Sequence, residues 1–244
     1  MMDIKDSVVL ITGAALRVGH ATALYLAQQG AHIAFSYYLA DEPWQQTQKE
    51  IEAYGVKTLA CQTEIRDAAQ VKHLVEATVK EFGRVDVLIN NASIWLKSPF
   101  LDITEAQWDL AIDVNLKGPF LASQAAAPHM LAQGRGVIIN ITDLSAFQVW
   151  PGYAHHAASK AGLVSLTKSL AVELAPHVRV NAIAPGTILL PENPSPEKVK
   201  WATDKSVLKR VGSPQDLARL VAFLITSDFI TGSVYFVDGG RSLV

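Results

Sequence analysis

The stretch that decides the fold is Val8-Val9-Leu10-Ile11-Thr12-Gly13-Ala14-Ala15-Leu16-Arg17-Val18-Gly19. Its first four residues are an apolar, mostly β-branched run, which predicts a buried strand; a helical pattern follows over residues 17–29. Glycine at 13 permits a tight turn, and glycine at 19 lets the helix pack close against the strand. The helix amino terminus then offers free N–H groups to a pyrophosphate. The spacing is T-G-x(5)-G rather than the plain G-x-G-x-x-G, so its position directly after a first strand carries the inference.

Outward from this loop, short apolar runs recur at 32–35, 58–61, 87–89, 137–141, 180–183 and 234–237. Helical patterns lie between them at 68–82, 105–131, 157–174 and 214–226. Gly30 closes the first helix, Gly83 closes 68–82, and Ser213-Pro214 opens the last with a cap residue before proline. Strand and helix alternate over the whole length, which predicts an α/β fold with a doubly wound parallel sheet and helices on both faces. No composition break splits the chain, so residues 1–244 read as a single domain. The proline-rich piece 191–196 reads as a mobile loop over a site, within a variable substrate segment at 187–212.

Composition narrows the function classes. Half of the 244 residues are hydrophobic and 18% are charged, enough for a sizeable core and against wholesale disorder. Lysine plus arginine number 21 and aspartate plus glutamate 23, so no basic excess exists to neutralise nucleic acid. Cys61 is the single cysteine, which excludes an internal disulfide and a cysteine metal cluster. His20, His32, His73, His129, His155 and His177 show no ligand spacing such as H-E-x-x-H, so no metal is expected. The run at 8–11 is far below the ~20 apolar residues of a membrane span and lacks a cleavage pattern, so a cytoplasmic protein without a membrane partner is expected.

At the end of the second strand an NAD site calls for an acid to hold the ribose hydroxyls. This chain reads Phe35-Ser36-Tyr37-Tyr38, with no acid before Asp41 and Glu42, and it carries Arg17 inside the glycine loop. That arrangement favours NADP(H) over NAD, with Asp41 folding back onto the ribose as the alternative.

The glycine loop, Asn90-Asn91-Ala92 after the fourth strand, Asn115, Lys160, Pro185-Gly186 and the terminal Val237-Asp238-Gly239-Gly240 together resemble the short-chain dehydrogenases/reductases. The resemblance spans nearly the whole chain. It implies a seven-stranded Rossmann sheet, a nicotinamide cofactor, a small-molecule substrate and a homotetramer. It places cofactor contacts at Gly13, Arg17, Val18, Gly19, Tyr37, Glu64, Ile65, Asn91, Ala92, Lys160, Pro185 and Gly186, and catalytic roles at Asn115, Asp143 and Lys160. Lys160 would bridge the nicotinamide ribose hydroxyls, Asn115 would hold a water behind it, and Glu64 would lie near the adenine. Arg17, Ser93 in place of glycine, and Asp143 in place of the usual serine narrow the resemblance to pteridine reductases. There Ser93, Trp95 and Tyr153 would meet the substrate, with Trp95 stacking a pterin. A general carbonyl or 3-oxoacyl reductase is the alternative.

One position departs from the family. The proton donor is a tyrosine four residues before the lysine, and here that position is His156, in Tyr153-Ala154-His155-His156-Ala157-Ala158-Ser159-Lys160. On a helix, His156 and Lys160 share a face, and the lysine charge disfavours a protonated histidine; Tyr153, two turns or ~10.5 Å from Lys160, cannot take over unless the helix start is rearranged. Losing a positioned acid typically costs ~10²–10⁴-fold in rate. Three readings stay open: His156 as a weak acid, Asp143 with a bound water as the acid, or a chain that binds NADP(H) without reacting. The helix at 157–174 is apolar nearly all round, with small residues Ala157, Ala161 and Gly162, which fits pairing with a second subunit.

Overall fold

Apolar side chains alternate along each strand, and that alternation builds two cores on one sheet. In the computed structural model, which describes residues 2–244, the strands are β1 Val8–Ile11, β2 His32–Tyr37, β3 Thr58–Gln62 and β4 Val87–Asn90, then β5 Gly136–Ile141, β6 Val178–Pro185 and β7 Val234–Val237. All pair in parallel, in the order β3-β2-β1-β4-β5-β6-β7. The helices are α1 Arg17–Gln28, α2 Trp44–Glu52, α3 Ala68–Phe82 and α4 Glu105–Ile112, then α5 Gly118–Ala132, α6 Ala154–Glu173, α7 Pro196–Asp204 and α8 Pro214–Thr226. This is a single-domain, doubly wound Rossmann fold.

Val9, Ile11, Ile33, Phe35, Ile89 and Ile139 face Leu26 of α1 and Val221 and Ile225 of α8. Their neighbours Leu10, Ala34, Leu88 and Ile138 face the other way, onto Leu74 of α3 and Met130 of α5. Phe35 is fully buried, and removing a side chain of this kind from water contributes about 1.5–3 kcal/mol. Helix ends follow the sequence signals closely. Asp67 caps α3 by accepting from Ala69 and Gln70 N–H, and Gly83 ends it in the left-handed region at φ 80°. Thr104 with Gln107, and Ser213 with Asp216, form capping boxes at α4 and α8.

Three expectations need correction. The pattern at 105–131 is interrupted by a π-helical turn over Asp113–Lys117, because its apolar residues do not hold one phase across Asn115. The segment after Pro194 is not wholly loop: Ser195 accepts from Lys198 N–H and starts α7 at Pro196. Helix α6 begins at Ala154, not at 157, behind Tyr153, which has no capping side-chain bond for a sequence pattern to reveal. Cys61 lies half-buried on the edge strand β3. No helix among the described residues is long and apolar enough to cross a membrane, and no metal-binding group of side chains occurs among them.

Candidate active site

The order of strands reverses on either side of β1, and in such sheets ligands bind in the crevice beyond the strand ends. Two residues staple that crevice. Thr12 Oγ1 accepts from the Asn91 and Ala92 N–H groups at 3.0 Å each, and Asn91 Nδ2 donates to Thr12 O at 3.0 Å and Gly13 O at 2.8 Å. Gly13 sits at φ +64°, and its N–H donates to Ser36 Oγ at 3.0 Å. A Cβ on Gly19 would stand 2.5 Å from Gly13 O and 2.6 Å from Asn91 Nδ2, so only glycine fits. Leu16 precedes α1 without a side-chain cap, and no acid lies in the first turn, which leaves the helix amino terminus free for an anion. These features fit a dinucleotide.

A cavity of about 1320 Å³ opens over this crevice. It brings together Gly13, Arg17, Val18, Gly19, Tyr37, Glu64, Ile65, Asn91, Ala92, Ser93, Trp95, Asp143, Tyr153, Lys160, Pro185 and Gly186. Asn115 and His156, both buried, lie behind its wall. At the nucleotide end, Glu64 takes a two-pronged ion pair from Arg66, with Nη2 to Oε2 at 2.6 Å and Nε to Oε1 at 2.9 Å. That pair holds the Glu64 carboxyl below its ordinary value, the Arg66 hydrogen bond outweighing partial burial. Glu42, rather than Asp41, folds back, accepting from Tyr38 N–H at 3.0 Å and Leu39 N–H at 2.7 Å. Arg17, at φ +57° and exposed, makes no hydrogen bond or ion pair to the described chain.

At the other end, α6 delivers Lys160, whose Nζ donates to Ile141 O at 2.9 Å. Burial lowers its pKa to about 8, against the opposing pull of Asp143. Asp143 accepts from Ser145 N–H at 2.7 Å through Oδ1, and its Oδ2 lies 2.5 Å from His156 Nε2. Burial raises the Asp143 pKa, but the His156 hydrogen bond, the Lys160 charge and Ser145 more than offset it and hold the carboxyl below its usual range. His156 thus contacts a carboxylate directly, a partner that its sequence position beside Lys160 does not reveal.

The π-helical turn aims Asn115 inward. Its Oδ1 accepts from Ile94 N–H at 2.9 Å and Ser93 Oγ at 3.0 Å, which fixes the amide orientation. Its Nδ2 donates to Ile94 O at 3.2 Å and Ser159 Oγ at 3.1 Å, and lies 3.3 Å from His156 Nδ1. The ionised Asp143 carboxylate can only accept, so the imidazole proton sits on Nε2, facing it, and Nδ1 faces the Asn115 amide, which is only a donor. Trp95 covers this pair, its ring 4.5 Å from His156 and 4.8 Å from Tyr153. Trp95 Nε1 donates to Tyr153 Oη at 3.2 Å.

Sequence reasoning missed Trp150, Trp201 and Arg241, which complete the cavity wall. They come from three distant segments and carry no local signal. Ser36, in contrast, was readable as the small polar residue ending the second strand's apolar run.

A family model described as Enoyl-(Acyl carrier protein) reductase matches residues 13–242. The chain is a short-chain dehydrogenase/reductase. It is 38% identical over 244 residues to the 3-oxoacyl-(acyl-carrier-protein) reductase FabG of Thermotoga maritima, covering 98% of this chain and 99% of that one. The FabG of Staphylococcus aureus is 39% identical over 236 residues, covering 95% and 96%. Among solved structures, the NADPH-dependent 3-quinuclidinone reductase of Rhodotorula rubra matches with a TM-score of 0.92 and 32% identity, over 99% of this chain and 93% of that one. Such short-chain reductases are oxidoreductases that use a nicotinamide cofactor. These relatives are 3-oxoacyl and ketone reductases, so overall similarity favours the carbonyl-reductase alternative over the pteridine resemblance.

Proposed function

We propose that this short-chain reductase is an NADPH-dependent carbonyl reductase that draws its proton from Tyr153 instead of from position 156. The observation that supports the reading is the cavity itself, which Lys160 and Asp143 line together with the glycine loop and Tyr153. Gly13, Gly19 and the α1 amino terminus would hold the pyrophosphate, Arg17 a 2′-phosphate, and Lys160 the nicotinamide ribose. When bound, the cofactor supplies a hydride. Asn91, Ala92, Pro185 and Gly186 complete its walls.

Reduction of a carbonyl leaves a negative oxygen that must be protonated. Asp143 is held ionised and has no proton to give. His156 carries its proton on Nε2, bound to Asp143, and giving it up would leave an imidazolate. Tyr153 differs. Its oxygen accepts from Trp95 Nε1, and its own O–H makes no hydrogen bond to a described residue while its ring lines the cavity. Tyr153→Phe is expected to lower kcat by on the order of 10²-fold with KM changed far less, measured by NADPH oxidation. An unchanged kcat would remove Tyr153 as the donor.

Arg17 is the uncommitted cation at the nucleotide end, since Arg66 is paired with Glu64. Arg17→Gln is therefore expected to weaken NADPH binding by about tenfold or more while leaving NADH nearly unchanged, as read by calorimetry. Equal losses for both cofactors would point to a role outside the 2′-phosphate.

A second reading, reduction of a pterin C=N, rests on the aromatic wall of Trp95, Trp150, Tyr153 and Trp201, which suits a flat heteroaromatic ring. Acetoacetyl-CoA and dihydrobiopterin, offered in parallel with NADPH, separate the two. No turnover of either, with NADPH still binding, would make the chain a nucleotide-binding homologue. Ala158, Ala161 and Val172 leave an exposed apolar face on α6, which supports a homotetramer built through α5 and α6. A cytoplasmic location goes with this reading.

A further inference from the structure

The substrate end of the cavity carries a cation that the chemistry above does not use. Arg241 lies in the short turn after β7, and its guanidinium stands 5.0 Å from the Trp150 ring and 5.1 Å from the Trp201 ring. Its Nη1 donates to Thr187 Oγ1 at 2.8 Å. Among the described residues no carboxylate forms a salt bridge with it, and the nearby acids are committed elsewhere. Asp238 accepts from the N–H groups of Gly240 and Ser242, and Asp143 is held by Ser145 and His156. Indole faces stabilise a guanidinium through its flat sides, which leaves the in-plane N–H edge open. That residue is half-buried and borders both the large cavity and an adjoining one of about 510 Å³. Lys97, Lys198 and Asp143 also line the large cavity, and Asp216 and Asp238 line the adjoining one.

We propose that Arg241, clamped by Trp150 and Trp201, is an anion subsite that selects carbonyl substrates bearing a carboxylate. The fork of a guanidinium matches a carboxylate in two parallel hydrogen bonds, and contacts with two indole rings and Thr187 restrict how that fork can turn. The guanidinium is half-buried and makes no direct salt bridge, and Asp143 and Asp238 favour its charge only from a distance, so a carboxylate arriving there gains a direct contact that neither acid makes. The proposal deepens the carbonyl-reductase reading and rests on it for the word substrate.

Its test uses two flat ketones that differ by one carboxylate group, isatin and isatin-5-carboxylate. Their Kd values are measured calorimetrically on the full chain saturated with NADP⁺, so no turnover is needed. The carboxylate is expected to bind at least about tenfold more tightly than isatin, with the preference shrinking as salt rises. Arg241→Met should bring the two Kd values together, and Arg241→Lys should keep part of the difference. Equal Kd values in the wild-type protein, or a preference that salt leaves intact, overturn the proposal without relying on any variant folding. An intact preference without NADPH oxidation by any carbonyl compound would sink the reductase reading and leave the anion subsite standing. Turnover of both ketones with equal affinity would do the reverse.

Discussion

Replacing His156 by tyrosine is expected to raise kcat for NADPH-dependent carbonyl reduction by on the order of 10²-fold, with the Kd for NADPH changed by less than about twofold. The histidine is buried behind Asp143 and Trp95, and its proton points at the carboxylate. A tyrosine is longer, so its hydroxyl would pass Asp143 into the cavity that Asp143 and Lys160 line. Lys160 lies one helical turn further on, and its positive charge makes a phenol a better acid near neutral pH. Trp95 is the side chain that must yield, and at 53% exposure it has room to do so. The donor at 156 should also make Tyr153 redundant. Tyr153→Phe would then cost less than about threefold in the His156→Tyr background, against on the order of 10²-fold alone. Additive losses would mean that Tyr153 serves the substrate in some other way. No gain at all from tyrosine, with NADPH still bound, would mean that position 156 does not reach the reacting carbonyl.

Lys160→Met is expected to abolish measurable reduction while making the cofactor-free protein harder to unfold at pH 7. An unfolded lysine titrates near 10.5, and burial brings Lys160 to about 8 in the fold. Between those values the unfolded chain binds more protons, so this residue adds stability as pH rises through the window. Below about 8 the lysine is charged in both states and its burial penalty is fully present, at about 3 kcal/mol from ~1.36 kcal/mol for each pH unit between the two values. Methionine removes the penalty but leaves Ile141 O without the Lys160 hydrogen bond, a loss of about 1–2 kcal/mol. The net gain is therefore about 1–2 kcal/mol at pH 7, shrinking and reversing towards pH 10. Urea unfolding of both proteins at pH 7 and 10 measures it. A gain that stays constant with pH would show that Lys160 is not the titrating group.

The sheet and the nucleotide end were legible in the sequence because both rest on local patterns. Val8–Ile11 with Gly13 and Gly19 specifies a strand, a turn and a close-packed helix within twelve residues. Helix α2, Trp-Gln-Gln-Thr-Gln-Lys-Glu-Ile-Glu, buries only Thr47 and Ile51, so it shows no apolar stripe to read. Helix α7 buries only Ala202 and was read as loop for the same reason. The π-helical turn that seats Asn115 has no composition of its own. Arg241 reaches Trp150 and Trp201 across long sequence separations, and only the closed sheet brings them together. His156 stands four residues before Lys160, where the family resemblance implies a tyrosine. The consequence of that histidine is not legible there, because it depends on which imidazole nitrogen faces Asp143 and which faces Asn115.

Four of the five tryptophans bracket the cavity. Trp44 stacks on Tyr37 at the nucleotide end with rings 4.9 Å apart, and Trp95, Trp150 and Trp201 line the substrate end. Trp108, on α4 and partly exposed, stands apart from both. The protein's own light emission is thus a two-ended occupancy gauge with a built-in background. If the proposed sites bind as argued, dimming through Trp44 would report the nucleotide and dimming through Trp150 and Trp201 the substrate carried to Arg241.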